Sequence, residues 1–166
     1  MRQVVSFLLA VALIGVMLAG RLGADEEKVP LDKLPKAVTE AVKKRFPKGE
    51  MTEAAKESEN GKTVYEVTVK DGAAKYDVTV TTDGTITTLE KEIPVKDLPK
   101  EVTEAVDKKY PKATYKLAEA VIKVEDGKEK LSYYEVVVVT ADKKTLEIEV
   151  SPDGTIKKEE KKDKDK

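Results

Sequence analysis

The sequence predicts an α+β protein built from two tandem modules, each a helix followed by a four-stranded antiparallel sheet. Two observations carry this reading. An internal repeat runs through residues 29–158, and within each copy the apolar spacing changes from helical to alternating.

The repeat is plainest at its start. Residues 29–48 align with residues 93–112 at an offset of 64, with 12 identities in 20 positions. The likeness resumes as Tyr65-Glu66-Val67 against Tyr134-Glu135-Val136 and closes as Asp83-Gly84-Thr85-Ile86 against Asp153-Gly154-Thr155-Ile156. The offset grows to 69 and then 70, which places the length changes between elements, where loops absorb them. The first repeat is set at 29–91 and the second at 93–158.

Leu34, Val38, Ala41, Val42 and Phe46 recur at helical spacing, matched by Leu98, Val102, Ala105, Val106 and Tyr110. Asp32 and Asp97 are candidate N-caps or first-turn acids, Pro35 and Pro99 fit a first turn, and Pro47 and Pro111 end each helix. Alternation follows. Tyr65, Val67 and Val69 share one face with Tyr76, Val78 and Val80; in the second copy Tyr134, Val136 and Val138 match Leu146, Ile148 and Val150. Tyr115 and Leu117 are also assigned to the core face. Asn60-Gly61, Asp71-Gly72, Asp83-Gly84, Asp126-Gly127 and Asp153-Gly154 mark the turns.

The opposite sheet face distinguishes the copies. In the first it carries Glu66, Thr68, Asp77 and Thr79, expected to face water. In the second it carries Tyr133, Val137 and Val139 beside Glu135, with Ile122 and Val124 as further candidates. An apolar set on a nominally solvated face calls for a covering surface, either a partner or the other module. Tyr133, the tyrosine expected to be exposed, Val137 and Val139 are the candidate partner-binding residues.

Residues 1–24 have the order of a secretory signal peptide: Arg2 near the start, an apolar run from Val4 to Gly20, then Ala24 before the polar Asp25-Glu26-Glu27. Cleavage is expected after Ala24, with Gly20 as the alternative, giving an exported protein, periplasmic or secreted, with no membrane attachment once processed. Residues 157–166 are only Lys, Glu and Asp, and the tail 159–166 is expected to be disordered.

Composition excludes much chemistry. With no His and no Cys, imidazole bases, cysteine nucleophiles and zinc sites are unavailable. No phosphate-binding glycine loop occurs, and no segment has the alternating acids of an EF-hand. Lys and Arg number 31 against 32 acids, so no basic excess exists to neutralise nucleic acid. No catalytic residue, cofactor or metal site is expected, and the chain is not expected to be an enzyme.

The Leu34-Pro35-Lys36 and Leu98-Pro99-Lys100 helix starts, the Phe46-Pro47 and Tyr110-Pro111 ends, the Tyr-Glu-Val strands and the Asp-Gly-Thr-Ile hairpins resemble PepSY-like domains. Their tandem form is similar to exported bacterial proteins with the beta-lactamase-inhibitor fold. The resemblance implies one helix against a curved sheet per repeat, two repeats able to form one continuous concave sheet, and, by association, regulation or inhibition of a peptidase. The expected function is therefore a non-catalytic module binding an exported protein. The alternative is an envelope protein with a structural, sensing or weak cation-binding role.

Overall fold

The computed structural model describes residues 27–59 and 61–162. Residues 1–26, which include the expected signal segment 1–24, Asn60 and residues 163–166 lie outside the described residues. Strand β1 (Glu27–Lys28) leads through a tight helical turn, Leu31–Lys33, into helix α1 (Lys36–Arg45) and strands β2 (Glu50–Glu59), β3 (Lys62–Asp71), β4 (Ala74–Thr81) and β5 (Ile86–Glu92). The order then repeats: a tight turn at Val95–Asp97, α2 (Lys100–Lys109), β6 (Thr114–Glu125), β7 (Lys128–Val139), β8 (Thr145–Val150) and β9 (Ile156–Lys162). The α+β reading holds. All nine strands form one antiparallel meander in sequence order, joined at mid-sheet by the β5–β6 ladder from Thr88↔Lys123 to Glu92↔Glu119.

Both helices start where proline allows. Leu34 and Leu98 are extended, with ψ near 143° and 141°, because the ring of the following proline disfavours a helical ψ before it. Pro35 and Pro99 therefore stand at the N-cap rather than in the first turn, and Asp32 and Asp97 belong to the preceding tight turns instead of capping the helices. The same constraint ends them, since Phe46 and Tyr110 precede Pro47 and Pro111 and leave the helical region.

The helices share one sheet face. Val38, Val42 and Phe46 pack with Val67, Val69, Val78, Val80 and Leu89. Val102 and Val106 pack with Ala118, Val136, Val138, Ile148 and Val150. Ala118 and Ile122 have the same parity on β6, and they reach the second and first cores respectively, so the two cores lie side by side. Full burial of a valine is worth about 1.5–3 kcal/mol, and each helix rests on two such residues.

Two strand assignments change. Ile122 and Val124 pack against the first core and not on the opposite face. A bulge at Lys116 separates Tyr115↔Val138 from Leu117↔Val137, so Tyr115 faces the core while Leu117 faces away.

The charged run is also corrected. Residues 159–162, expected to lack structure, belong to edge strand β9, which pairs with β8 from Val150↔Ile156 to Thr145↔Lys162. Its side chains find partners. Glu159 accepts a hydrogen bond from the Tyr110 hydroxyl at 2.6 Å and pairs with Lys109 at 2.7 Å, tying the edge to α2. Lys162 pairs with buried Glu147. A lysine-rich edge also resists pairing with another chain.

The Asp-Gly hairpins differ in tightness. Gly84 has φ +88 and Gly154 φ +82, and an added Cβ would lie 2.8 Å from the Ala37 carbonyl oxygen and 2.6 Å from that of Glu101. These turns abut the starts of α1 and α2, which explains why Asp-Gly-Thr-Ile is repeated.

Gly154→Ala combines a left-handed backbone with a backbone clash and should cost about 2–4 kcal/mol in chemical denaturation. Gly127→Ala, with nothing within 4 Å, should cost less than half of that. Glu159→Gln should speed amide exchange in β9 selectively. The Glu159 carboxyl is partly desolvated, but its bonds from Lys109 and Tyr110 hold it below the usual range. The same loosening should therefore appear in the wild type as pH falls through that lowered value.

Candidate functional site

Strand alternation places on the helix-free face every residue the two cores do not use. Leu117, Tyr133, Val137 and Val139 lie there half-buried, with fully buried Val121 opposite Tyr133. Tyr133 is thus less exposed than the sequence implied. The three candidate residues do share this face of β7, joined by Leu117, which the bulge at Lys116 turns toward it.

The larger surprise is acidic. Asp77, Glu90, Glu119, Glu135 and Glu147 are all on the helix-free face, and none is more than 7% exposed; Thr79, also expected to face water, is 4% exposed. Neither helix covers this face, so it is the neighbouring side chains of the sheet that keep the carboxylates from water. Two of the acids have obvious compensation. Asp77 accepts a hydrogen bond from Thr68 Oγ1 at 2.6 Å and pairs with Lys75 at 3.4 Å, and Glu147 pairs with Lys162.

Glu119 does not. It stands directly opposite Glu135 in the β6–β7 ladder, and Glu90 comes from β5 on its other side. One carboxylate oxygen from each of Glu90, Glu119 and Glu135 lies within 4.8 Å of the others. Glu119 Oε1 is buried without a hydrogen-bond partner. Like charges directly across a ladder destabilise it, and removal from water penalises the ionised form further. Burial, followed by the charges of Glu90, Asp77 and Glu135 and opposed only by Lys75, pushes the Glu119 carboxyl up to about 9.

The trio could not be singled out among so many carboxylates by spacing alone. One signal was present. Ala54 pairs with Val67, and Ala118 with Val136, so the registers make Ala55 the counterpart of Glu119 and Glu66 the counterpart of Glu135. The first copy sets alanine against glutamate where the second sets glutamate against glutamate.

The chain is an open antiparallel sheet with both helices on one face and a bare face that carries apolar and acidic side chains. The chain belongs to the beta-lactamase-inhibitor-like, PepSY-like family, whose model matches residues 24–88 and 65–158. Similar solved structures include a BLIP-like protein from Bacteroides fragilis, 17% identical with a TM-score of 0.54, over 76% of this chain and 84% of that one. A DUF2874 family protein from Bacteroides uniformis is 16% identical with a TM-score of 0.61, over 76% of this chain and 88% of that one. No curated protein matches the chain.

In metal-free buffer, stability should fall as pH rises from about 5 to 9, because folding must keep a proton on Glu119 that the unfolded chain releases near 4.5. The total loss is on the order of a few kcal/mol, with a limiting slope of about 1.4 kcal/mol per pH unit. Glu119→Gln should flatten this slope in denaturation curves collected across the range.

Proposed function

We propose that the protein is an exported, non-catalytic binding protein whose duplicated module presents the helix-free sheet face to a partner protein. The observation that carries this reading is the half-buried apolar group Leu117, Tyr133, Val137 and Val139 on a face that neither helix covers. Such a group pays a hydration cost that a docked surface removes, and tyrosine anchors well at interfaces because its ring buries while its hydroxyl stays bonded. Family membership supports the reading: the partner class it favours is an extracytoplasmic enzyme, such as a peptidase, that the protein restrains. The expected signal segment 1–24 supports export, and the absence of His and Cys supports a non-catalytic role.

The test is affinity capture from the exported fraction with the wild type, Tyr133→Ala and Val137→Lys. A partner retained by the wild type and weakened at least tenfold by each substitution is the expected result. Equal retention by all three proteins, or no retained protein, overturns the reading.

A further inference from the structure

We propose that Glu90, Glu119 and Glu135 form a binding site for one hard divalent cation of calcium's size, at the centre of the helix-free face. The inference is independent of whether that face docks a protein, and it departs from the expectation that the chain has no metal site.

The three carboxylates come from adjacent strands β5, β6 and β7, so the hydrogen-bonded ladder holds their backbones in fixed register. Each is at most 5% exposed, and their nearest oxygens lie within 4.8 Å of one another. An acidic cluster alone would mean little. The second observation is Glu119 Oε1, buried and without a hydrogen-bond partner, on a residue only 3% exposed that is itself one of the three in the group. A buried acceptor left unmatched is costly unless a proton or a cation occupies it.

Size and donor type select the ion. The donors are all carboxylate oxygens, which favour hard cations over zinc or copper. Oxygens bound to one ion can be at most twice the bond length apart. Oxygens no more than 4.8 Å apart fit within the span of about 4.6–5.2 Å that calcium allows, and three protein carboxylates suit calcium, which accepts many protein oxygens, better than magnesium, which gives up its waters reluctantly. Two nearby cations are engaged elsewhere: Lys75 pairs with Asp77 at 3.4 Å, and Lys123 donates to Thr88 Oγ1 at 2.9 Å.

A proton is the competing occupant. Burial and the charges of Glu90 from β5, Asp77 from β4 and Glu135 from β7 favour the neutral form of Glu119, opposed by Lys75 from β4. A cation must displace that proton, so its affinity should rise with pH.

Calcium chloride titrated calorimetrically into the purified protein, in chelator-stripped buffer at pH 8, tests the site. One ion per chain should bind with a Kd of about 0.1–1 mM, and magnesium should bind at least fivefold more weakly. Glu119→Ala reproduces what Ala55 provides in the first half, so it should fold, as circular dichroism will verify, and should lose at least tenfold in affinity. Asp83→Asn, altering an exposed turn acid, should leave binding unchanged. No heat up to about 10 mM calcium, equal binding by Glu119→Ala, or loss with Asp83→Asn would each overturn the proposal. If stability responds to pH while calcium has no effect, the occupant is a proton alone.

Discussion

In an antiparallel ladder a side chain's face is set by parity, and a one-residue slip would move a whole strand's apolar set into water. Here the parity is set by the valines beneath the helices: Val67, Val69, Val78 and Val80 under α1, Val136 and Val138 with Ile148 and Val150 under α2. Once those are buried, Glu119 and Glu135 have no choice of face. They are opposite each other because Ala118 and Val136 are opposite each other one position earlier and later. The strain on the helix-free face is thus imposed by the core on the other side of the same strands.

This explains which parts of the fold could be read without coordinates. The helices and core faces were legible because their apolar residues repeat with a fixed period and because the duplication shows each pattern twice. Bulges were not, since an extra residue such as Lys116 leaves composition unchanged while sending Tyr115 and Leu117 to opposite faces. The positions of Ile122 and Val124 were missed for a different reason. They belong by sequence to the second half, but β6 pairs with β5, and Leu89↔Ile122 draws them to the first core. A junction between repeats has no counterpart within either repeat, so self-similarity carries no information about it.

The charged strand β9 is an instructive failure of composition. A run of Lys, Glu and Asp buries too little apolar surface to order itself. It need not do so when β8 offers a free edge, since backbone pairing is indifferent to side-chain type and the exposed side remains solvated. What makes this segment ordered is specific complementarity: Glu159 meets Tyr110 and Lys109, and Lys162 meets Glu147. The same Tyr110 hydroxyl is held protonated, pushed up to about 12 by burial and by Glu159. Those partners are 15 to 50 residues away in the chain, beyond the reach of any local pattern.

The two halves share one element order, which isolates what differs between them. In the first half, Ala55 opposite Glu66 leaves one carboxylate in the pair and no repulsion. In the second, Glu119 opposite Glu135 places two carboxylates together, with Glu90 arriving from the neighbouring half. An arrangement needed only for folding would be met by the alanine version, which is present in the same molecule. The trio also spans the β5–β6 seam, so anything that binds all three oxygens ties the two halves together at the strand pair that joins them. The apolar residues Leu117, Tyr133 and Val137 flank it on β6 and β7, in register with Glu119 and Glu135. The charge state of the trio and the shape of the apolar surface are therefore set on the same short stretch of ladder.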